Sequence, residues 1–101
     1  NNADAYYHLG WTLNELKEYP EAIAPFKQAI RLNPKNADAH YSMGWTLSEM
    51  KRYQDAIISL KEAVRLDPNH AGAQARLTKV QEQLKSQPAI TLKPADQRPS
   101  K

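Results

Sequence analysis

The chain of 101 residues contains no cysteine, which excludes disulfide bonds and thiolate chemistry and leaves the redox state of its compartment open. It also lacks any apolar run near the ~18–20 residues that a membrane-spanning helix needs. Neither a secretory signal nor an initiator methionine stands at its start, so we expect a fragment of a longer protein. Its compartment is unknown, with a soluble cytoplasmic location as the default expectation.

A strong charge of one sign is also missing from most of the chain. The formal net charge is +3, but residues 1–85 carry 11 basic and 10 acidic side chains, a balance of +1. The remaining excess comes from Lys93, Arg98 and Lys101 against Asp96. The basic isoelectric point therefore does not indicate a nucleic-acid surface, and we expect neither a nucleic-acid nor a membrane partner.

The dominant positive feature is an internal repeat of 34 residues. Residues 3–36 align with residues 37–70, and 18 of the 34 positions are identical. The segment LGWTLNEL returns as MGWTLSEM, so the two tryptophans of the chain, Trp11 and Trp45, occupy equivalent positions. Repetition at such a period is typical of stacked repeat proteins.

Each repeat is predicted to form two antiparallel helices. Tyr6, Leu9 and Leu13 recur at helical spacing, and after a short polar break Ala22, Phe26 and Ala29 form a second apolar stripe. Asn33-Pro34 ends the second helix, and Asn36 is predicted to cap the next one. Gly10 and Gly44 are predicted to lie where the helices of each hairpin cross closely. Pro25 interrupts the second stripe, so that helix either kinks or begins later.

A third segment, residues 71–85, carries one apolar stripe with no second helix behind it. Such a helix suits a terminal cap, because end repeats need a polar outer side. We therefore predict one domain over residues 1–85, with repeat one at 3–36, repeat two at 37–70 and a capping helix at 71–85. Residues 86–101 contain three prolines and are predicted to form a flexible tail.

These features resemble the tetratricopeptide repeat (TPR) family. The signature residues of that family stand at the expected spacing in both repeats: Tyr6, Leu9, Gly10, Leu13, Ala22, Phe26, Ala29, Pro34, then His40, Met43, Gly44, Leu47, Ala56, Leu60, Ala63, Pro68. Leu13 and Leu47 replace the usual aromatic residue, and His40 replaces a large apolar one. The resemblance implies an all-α fold: an α-solenoid of two antiparallel helix hairpins and a capping helix, about five helices.

The two tryptophans are predicted to face away from the core of their own hairpins. With Tyr6 at 0° and about 100° per residue, the apolar stripe of the first helix centres near 320°, and Trp11 falls near 140°. The resemblance implies that this side of the first helices lines a concave groove that binds peptides. Two alternatives stay open: Trp11 fills the gap between neighbouring first helices, beside Tyr41 or Ser42, or it mediates self-association.

The groove reading predicts a set of partner-binding residues and a class of partner. Aromatic residues at its centre and acidic residues around them favour a protein or peptide segment that is apolar with some basic residues. The tail, with Ile90, Leu92 and its basic residues, could be such a segment, or it could be no more than a disordered linker. The predicted partner-binding residues are Asp4, Tyr7, Trp11, Asn14, Glu15, Asp38, Tyr41, Trp45, Ser48, Glu49, Arg76 and Lys79.

Other functions receive less support. The carboxylate clamp that some TPR domains use for chaperone C-termini needs cationic and amide residues, but the matching positions hold Tyr7, Trp11, Ser42, Gly72 and Arg76. Only Arg76 fits, so we expect no clamp; Arg76 is expected instead to be solvated or to stack on an aromatic ring such as Trp45. No catalytic or metal-ligating spacing is present, so we expect no enzyme and no cofactor. The alternative function is assembly through the open N-terminal face of repeat one.

Overall fold

The computed structural model describes residues 2–86, and every helix in that part of the chain was expected from the repeat. The predicted tail lies outside the described residues from position 87 onward. The helices are α1 (Asn2–Glu15), α2 (Tyr19–Leu32), α3 (Ala37–Glu49), α4 (Tyr53–Leu66) and α5 (Ala71–Lys85). The all-α solenoid of two helix hairpins and a capping helix is thus confirmed. None of these five helices is long and apolar enough to cross a bilayer.

The two hairpins share one turn design. In the turn that follows α1, Lys17 has a φ of 62°, and in the turn that follows α3, Lys51 has a φ of 63°. In the turn between α1 and α2, the Lys17 N–H donates to the Asn14 carbonyl at 2.9 Å, and the Glu18 N–H donates to the Leu13 carbonyl at 2.9 Å. This pair of bonds is the Schellman motif, which usually places glycine at the left-handed position. The repeated turn reverses the chain so that α1 packs on α2 and α3 packs on α4.

The remaining helix boundaries follow from caps and prolines. Asn36 caps α3 as predicted, since its Oδ1 accepts from the backbone N–H groups of Asp38 and Ala39 at 3.0 and 3.3 Å. α2 begins at Tyr19 with a proline in its first turn. It continues through the buried Pro25 to Leu32, so the alternative of a later start is wrong.

Small residues allow the helices of each hairpin to cross closely, as the sequence predicts. A Cβ atom added to Gly10 would lie 2.7 Å from the ring of Phe26, and one added to Gly44 would lie 2.6 Å from Leu60 Cγ. Phe26 and Leu60 are fully buried, so each glycine makes room for the largest core residue of its hairpin. The main apolar cluster then extends through Leu47 to Val80 of α5.

The predicted orientation of α1 is wrong in one respect. The apolar stripe through Leu9 and Leu13, which Leu16 extends, is predicted to face the hairpin core, but the exposed fractions of Leu9 and Leu16 are 49% and 62%. The side of α1 that meets α2 is formed instead by the buried Ala3 and Gly10, and the centre of that side lies at about 50° on the helical wheel. On α3, Met43 occupies the position equivalent to Leu9, and it packs against the apolar cluster around Leu47, which Ile23 of α2 also contacts. The apolar stripe of a first helix therefore faces the preceding hairpin, and on α1 that side is open.

Candidate functional site

The two first helices, α1 and α3, lie side by side and are joined by hydrogen bonds between their side chains. The Tyr7 hydroxyl lies 3.3 Å from Ser42 Oγ. The Thr46 hydroxyl lies 2.7 Å from Asn14 Oδ1, which accepts from it, and 2.9 Å from the Ser42 carbonyl of its own helix. Because Ser42 and Thr46 are buried, these bonds fix the lateral spacing of the two repeats.

Above this seam the two tryptophans line one cavity. Its volume is about 120 Å³, and it opens between α1 and α3. Trp11 is 48% exposed, and the Glu15 side chain one turn further along α1 is also exposed. We call the surface formed by Trp11, Tyr41 and Trp45 the aromatic face. The residues that line the cavity are Trp11, Asn14, Glu15, Tyr41, Ser42 and Trp45.

Trp45 is held more firmly than Trp11. The ring of Tyr19 meets it edge to face, with 6.2 Å between the ring centres. The Arg76 guanidinium carbon lies 5.0 Å from the centre of the Trp45 ring, so of the two alternatives for Arg76 the structure has the stacked one. Arg76 Nη1 is also 3.7 Å from Glu49 Oε2. Trp45 is therefore half-buried among partners from α2 and α5.

α5 is docked on α3 through its first turn. His70 caps α5, because its Nδ1 accepts from the Ala73 backbone N–H at 3.0 Å. Its Nε2 lies 2.8 Å from Asp38 Oδ1, and its ring centre is 4.8 Å from that of Tyr41. A Cβ atom on Gly72 would lie 3.2 Å from the Tyr41 ring and hydroxyl, so α5 approaches that tyrosine closely. This docking carries Arg76 to Trp45.

The predicted site residues fall into three groups. Five of them line the cavity: Trp11, Asn14, Glu15, Tyr41 and Trp45. A second group contacts the residues that line the cavity but does not line it. Most of these contacts are given above; in addition, the hydroxyl of the buried Ser48 donates to the Trp45 carbonyl at 2.7 Å. That group is Tyr7, Asp38, Ser48, Glu49 and Arg76. Asp4 and Lys79 are exposed and do not line the cavity.

The site also includes residues that the sequence-based set left out. Ser42 lines the cavity, Thr46 joins the two first helices, and Tyr19 and His70 hold Trp45 and Tyr41. Tyr19 recurs as Tyr53 in the second repeat, and this repetition is a signal that could have indicated its role. Ser42 is not repeated from His8, so the repeat pattern gave no such signal for it.

The groups that line the cavity are of kinds common in binding surfaces. It combines large aromatic rings, one amide, one serine hydroxyl and one exposed carboxylate. Among residues 2–86 there is no group of three histidine, aspartate or glutamate side chains placed to hold a metal ion. Aromatic rings that are rigid and half-exposed bury a large area on binding at a small cost in conformational entropy.

Comparison with solved structures finds the same fold in other proteins. The TPR2B domain of yeast Sti1, in a complex with pHsp70, is 21% identical with a TM-score of 0.81, covering 83% of this chain and 67% of that one. The second TPR of Spaghetti (RPAP3), bound to the HSP90 peptide SRMEEVD, is 20% identical with a TM-score of 0.82, covering 84% and 79%. At these identities the likeness concerns the fold alone.

MamA is 29% identical with a TM-score of 0.79, and the alignment covers 82% of this chain and 48% of MamA. No curated protein matches the sequence of this chain. Two family profiles match it: one described as TPR repeat, over residues 12–51, and one described as tetratricopeptide repeat, over residues 37–70. Together the profile matches span residues 12–70, which is more than half of the chain. With this fold and these matches, the chain belongs to the tetratricopeptide repeat family.

Proposed function

We propose that this chain is a protein-interaction module that binds a segment of a partner protein along its aromatic face. The observation that carries the proposal is the exposure of the Trp11 side chain. It is 48% exposed beside an open cavity, although burial of such a large ring would stabilise the fold. The hydrogen bonds between α1 and α3 hold the cavity open without a contribution from the Trp11 side chain.

The partner segment is apolar with some basic residues. Apolar side chains fit against Trp11, Tyr41 and Trp45, and the exposed Glu15 carboxylate at the same cavity favours positive charge. A cavity of about 120 Å³ accepts one side chain rather than a folded element, so the segment is a short peptide stretch. We propose no catalytic role for the cavity.

A display library of short peptides, selected on the immobilised chain, tests this function. We expect selected peptides to lose at least about tenfold in affinity when Trp11 is replaced by alanine, the loss typical of an interface residue that costs 1.4 kcal/mol or more. Ile58→Ala is the control, because Ile58 is an exposed apolar residue on α4, 68% exposed, that does not line the cavity. Equal losses for both variants, or a loss for Ile58→Ala alone, would contradict the proposal.

A second candidate function is self-assembly through the outer face of α1. Tyr6, Leu9 and Leu16 leave that face apolar and exposed. The exposed side of α5 carries mainly polar residues, among them Gln74, Lys79 and Glu82, so it offers no matching surface for head-to-tail stacking. A second copy would therefore pair α1 with α1 across a twofold axis.

Light scattering over a wide concentration range tests this candidate. We expect a dimer that dissociates when Leu9 is replaced by glutamate, because the carboxylate would be buried at the contact. Ala75→Glu, on the exposed side of α5, is the control that should leave the mass unchanged. A monomer at all concentrations would exclude this assembly.

A further inference from the structure

The internal repeat places the same pair of side chains, a tryptophan and a glutamate one turn later, on both first helices. In repeat two the pair is Trp45 and Glu49, and it holds a cation. The Arg76 guanidinium carbon lies 5.0 Å from the Trp45 ring centre, and Arg76 Nη1 lies 3.7 Å from the Glu49 carboxylate. Repeat two therefore displays what such a pair binds: the flat guanidinium stacks on the indole while the carboxylate balances its charge.

In repeat one the pair is Trp11 and Glu15, and the chain does not supply its arginine. Arg76 lies on the next first helix, α5, and 34 positions earlier the equivalent position on α3 is Ser42. Ser42 is buried and ends in a hydroxyl next to that of Tyr7, so it brings no charge to the pair. The space that an arginine would enter is the cavity between Trp11 and Trp45, which Ser42 lines.

Exposure distinguishes the filled pair from the open one. The Arg76 side chain is only 18% exposed, and Trp45 beneath it is half-buried. Trp11 is 48% exposed and Glu15 is exposed. Within residues 2–86, Trp45 is the tryptophan whose ring carries a cation. Trp11 and Glu15 thus repeat the arrangement of Trp45 and Glu49, which Arg76 already occupies in the same molecule.

We infer that Trp11 and Glu15 form a binding site for an arginine side chain of the partner segment. The inference rests on the proposed function and specifies its ligand chemistry. The guanidinium stacks on the Trp11 ring and pairs with the Glu15 carboxylate, as Arg76 does on Trp45 and Glu49. Arginine is preferred over lysine, because its planar, weakly hydrated group stacks on aromatic faces whereas an ammonium is a compact, strongly hydrated charge.

Titration with two small probes tests the site directly. The probes are N-acetyl-arginine amide and N-acetyl-citrulline amide, which have the same shape and differ in charge. The readout is the NMR signal of each indole N–H, assigned with Trp11→Phe and Trp45→Phe. We expect the arginine probe to shift the Trp11 signal more than the Trp45 signal, and to bind about threefold or more tightly than the citrulline probe, as an exposed cation–π contact with a paired carboxylate provides.

Three variants sharpen the result. Glu15→Gln should remove most of the preference for the arginine probe, whereas Glu21→Gln, which makes the same charge change at an exposed position of α2 outside the cavity, should preserve it. Ser42→Arg should fill the site from within and abolish the response of Trp11. Circular dichroism melts confirm that each variant is folded, and the two glutamate variants carry the test if Ser42→Arg does not fold.

The outcomes separate this inference from the proposed function. Equal binding of the two probes, or a preference that Glu15→Gln leaves unchanged, overturns the arginine site even if selected peptides still bind the aromatic face. Failure of every peptide to bind the aromatic face, while the arginine probe still binds at Trp11, overturns the proposed function and leaves the cation site.

Discussion

Trp11 and Trp45 occupy the same repeat position but have different surroundings. Trp45 contacts Tyr19 and Arg76, whereas Trp11 lies on α1, which within residues 2–86 packs on α2 and α3. The sequence predicts that both face away from the core of their own hairpins, but it does not show how far neighbouring helices cover each of them. The sequence leaves two alternatives open for Arg76, solvation or stacking on Trp45, and the packing of α5 against the second hairpin decides between them.

Truncation of the two tryptophans should therefore have unequal effects on stability. We expect Trp11→Ala to lower the free energy of unfolding by less than about 1 kcal/mol, because the ring is half-exposed. Trp45→Ala should cost about 1–3 kcal/mol, since it removes an aromatic pair and a cation–π contact. Urea denaturation measures both. A loss of 3 kcal/mol or more for Trp11→Ala, typical of a core aromatic, would contradict its assignment to a binding surface.

Gly44 offers a second test at the level of single residues. We expect Gly44→Leu to destabilise the chain by about 1–3 kcal/mol or more, because the Cβ atom of the new leucine would lie only 2.6 Å from Leu60 Cγ. The melting temperature by circular dichroism is the readout. Ala75→Leu, at an exposed position of α5, is the control and should change the midpoint little. Equal midpoints for the two variants would show that α3 and α4 do not cross closely at Gly44.

At the scale of whole helices, the turns after α1 and α3 carry a removable strain. Lys17 and Lys51 adopt left-handed backbone conformations that cost a residue with a Cβ atom about 1–2 kcal/mol. We expect Lys17→Gly and Lys51→Gly each to stabilise the chain by roughly 0.5–1 kcal/mol, after the larger chain entropy of unfolded glycine is subtracted. Lys61→Gly, at an exposed position within α4, is the control and should destabilise by about 1 kcal/mol. Destabilisation by all three variants would refute this assignment of the turns.

The helices themselves were largely predictable, and their orientation was not. Asn36, Pro34 and the polar breaks mark helix ends by local chemistry, which a sequence shows directly. The face of α1 that meets α2 was misjudged because the crossing is made by Ala3 and Gly10, whose small side chains contribute little to an apolar stripe. Leu9 and Leu16 dominate the stripe, yet both are exposed, whereas Met43, at the position equivalent to Leu9, packs against the cluster that Ile23 of the preceding hairpin also contacts.

At the scale of the whole molecule, the fold does not determine the ligand. Two proteins with this fold are in complexes with pHsp70 and with the HSP90 peptide SRMEEVD. In this chain the sequence positions expected for a carboxylate clamp hold Tyr7, Trp11, Ser42 and Gly72, with Arg76 already engaged by Glu49 and Trp45. We propose that the aromatic face selects basic rather than acidic segments.

The peptide SRMEEVD tests this selectivity. We expect no saturable binding up to about 1 mM, corresponding to a binding free energy weaker than about −4 kcal/mol, because its carboxylates would meet Glu15 and aromatic rings instead of cations. Isothermal titration calorimetry measures it, with a charge-reversed peptide in which arginine replaces both glutamates as the control. Tighter binding of SRMEEVD than of the control would reinstate a carboxylate-binding role.

The most direct measurement of the central claim is the response of the two indole N–H signals to a selected peptide. In ¹⁵N-labelled chain, we expect both signals to shift on saturation, together with the backbone amides of residues 11–15 and 41–45 that surround the cavity. Amides near Ile58 on α4 should stay unchanged. Shifts confined to α2 and α4, with both indole signals unmoved, would show that the partner binds elsewhere and that the aromatic face is not the binding surface.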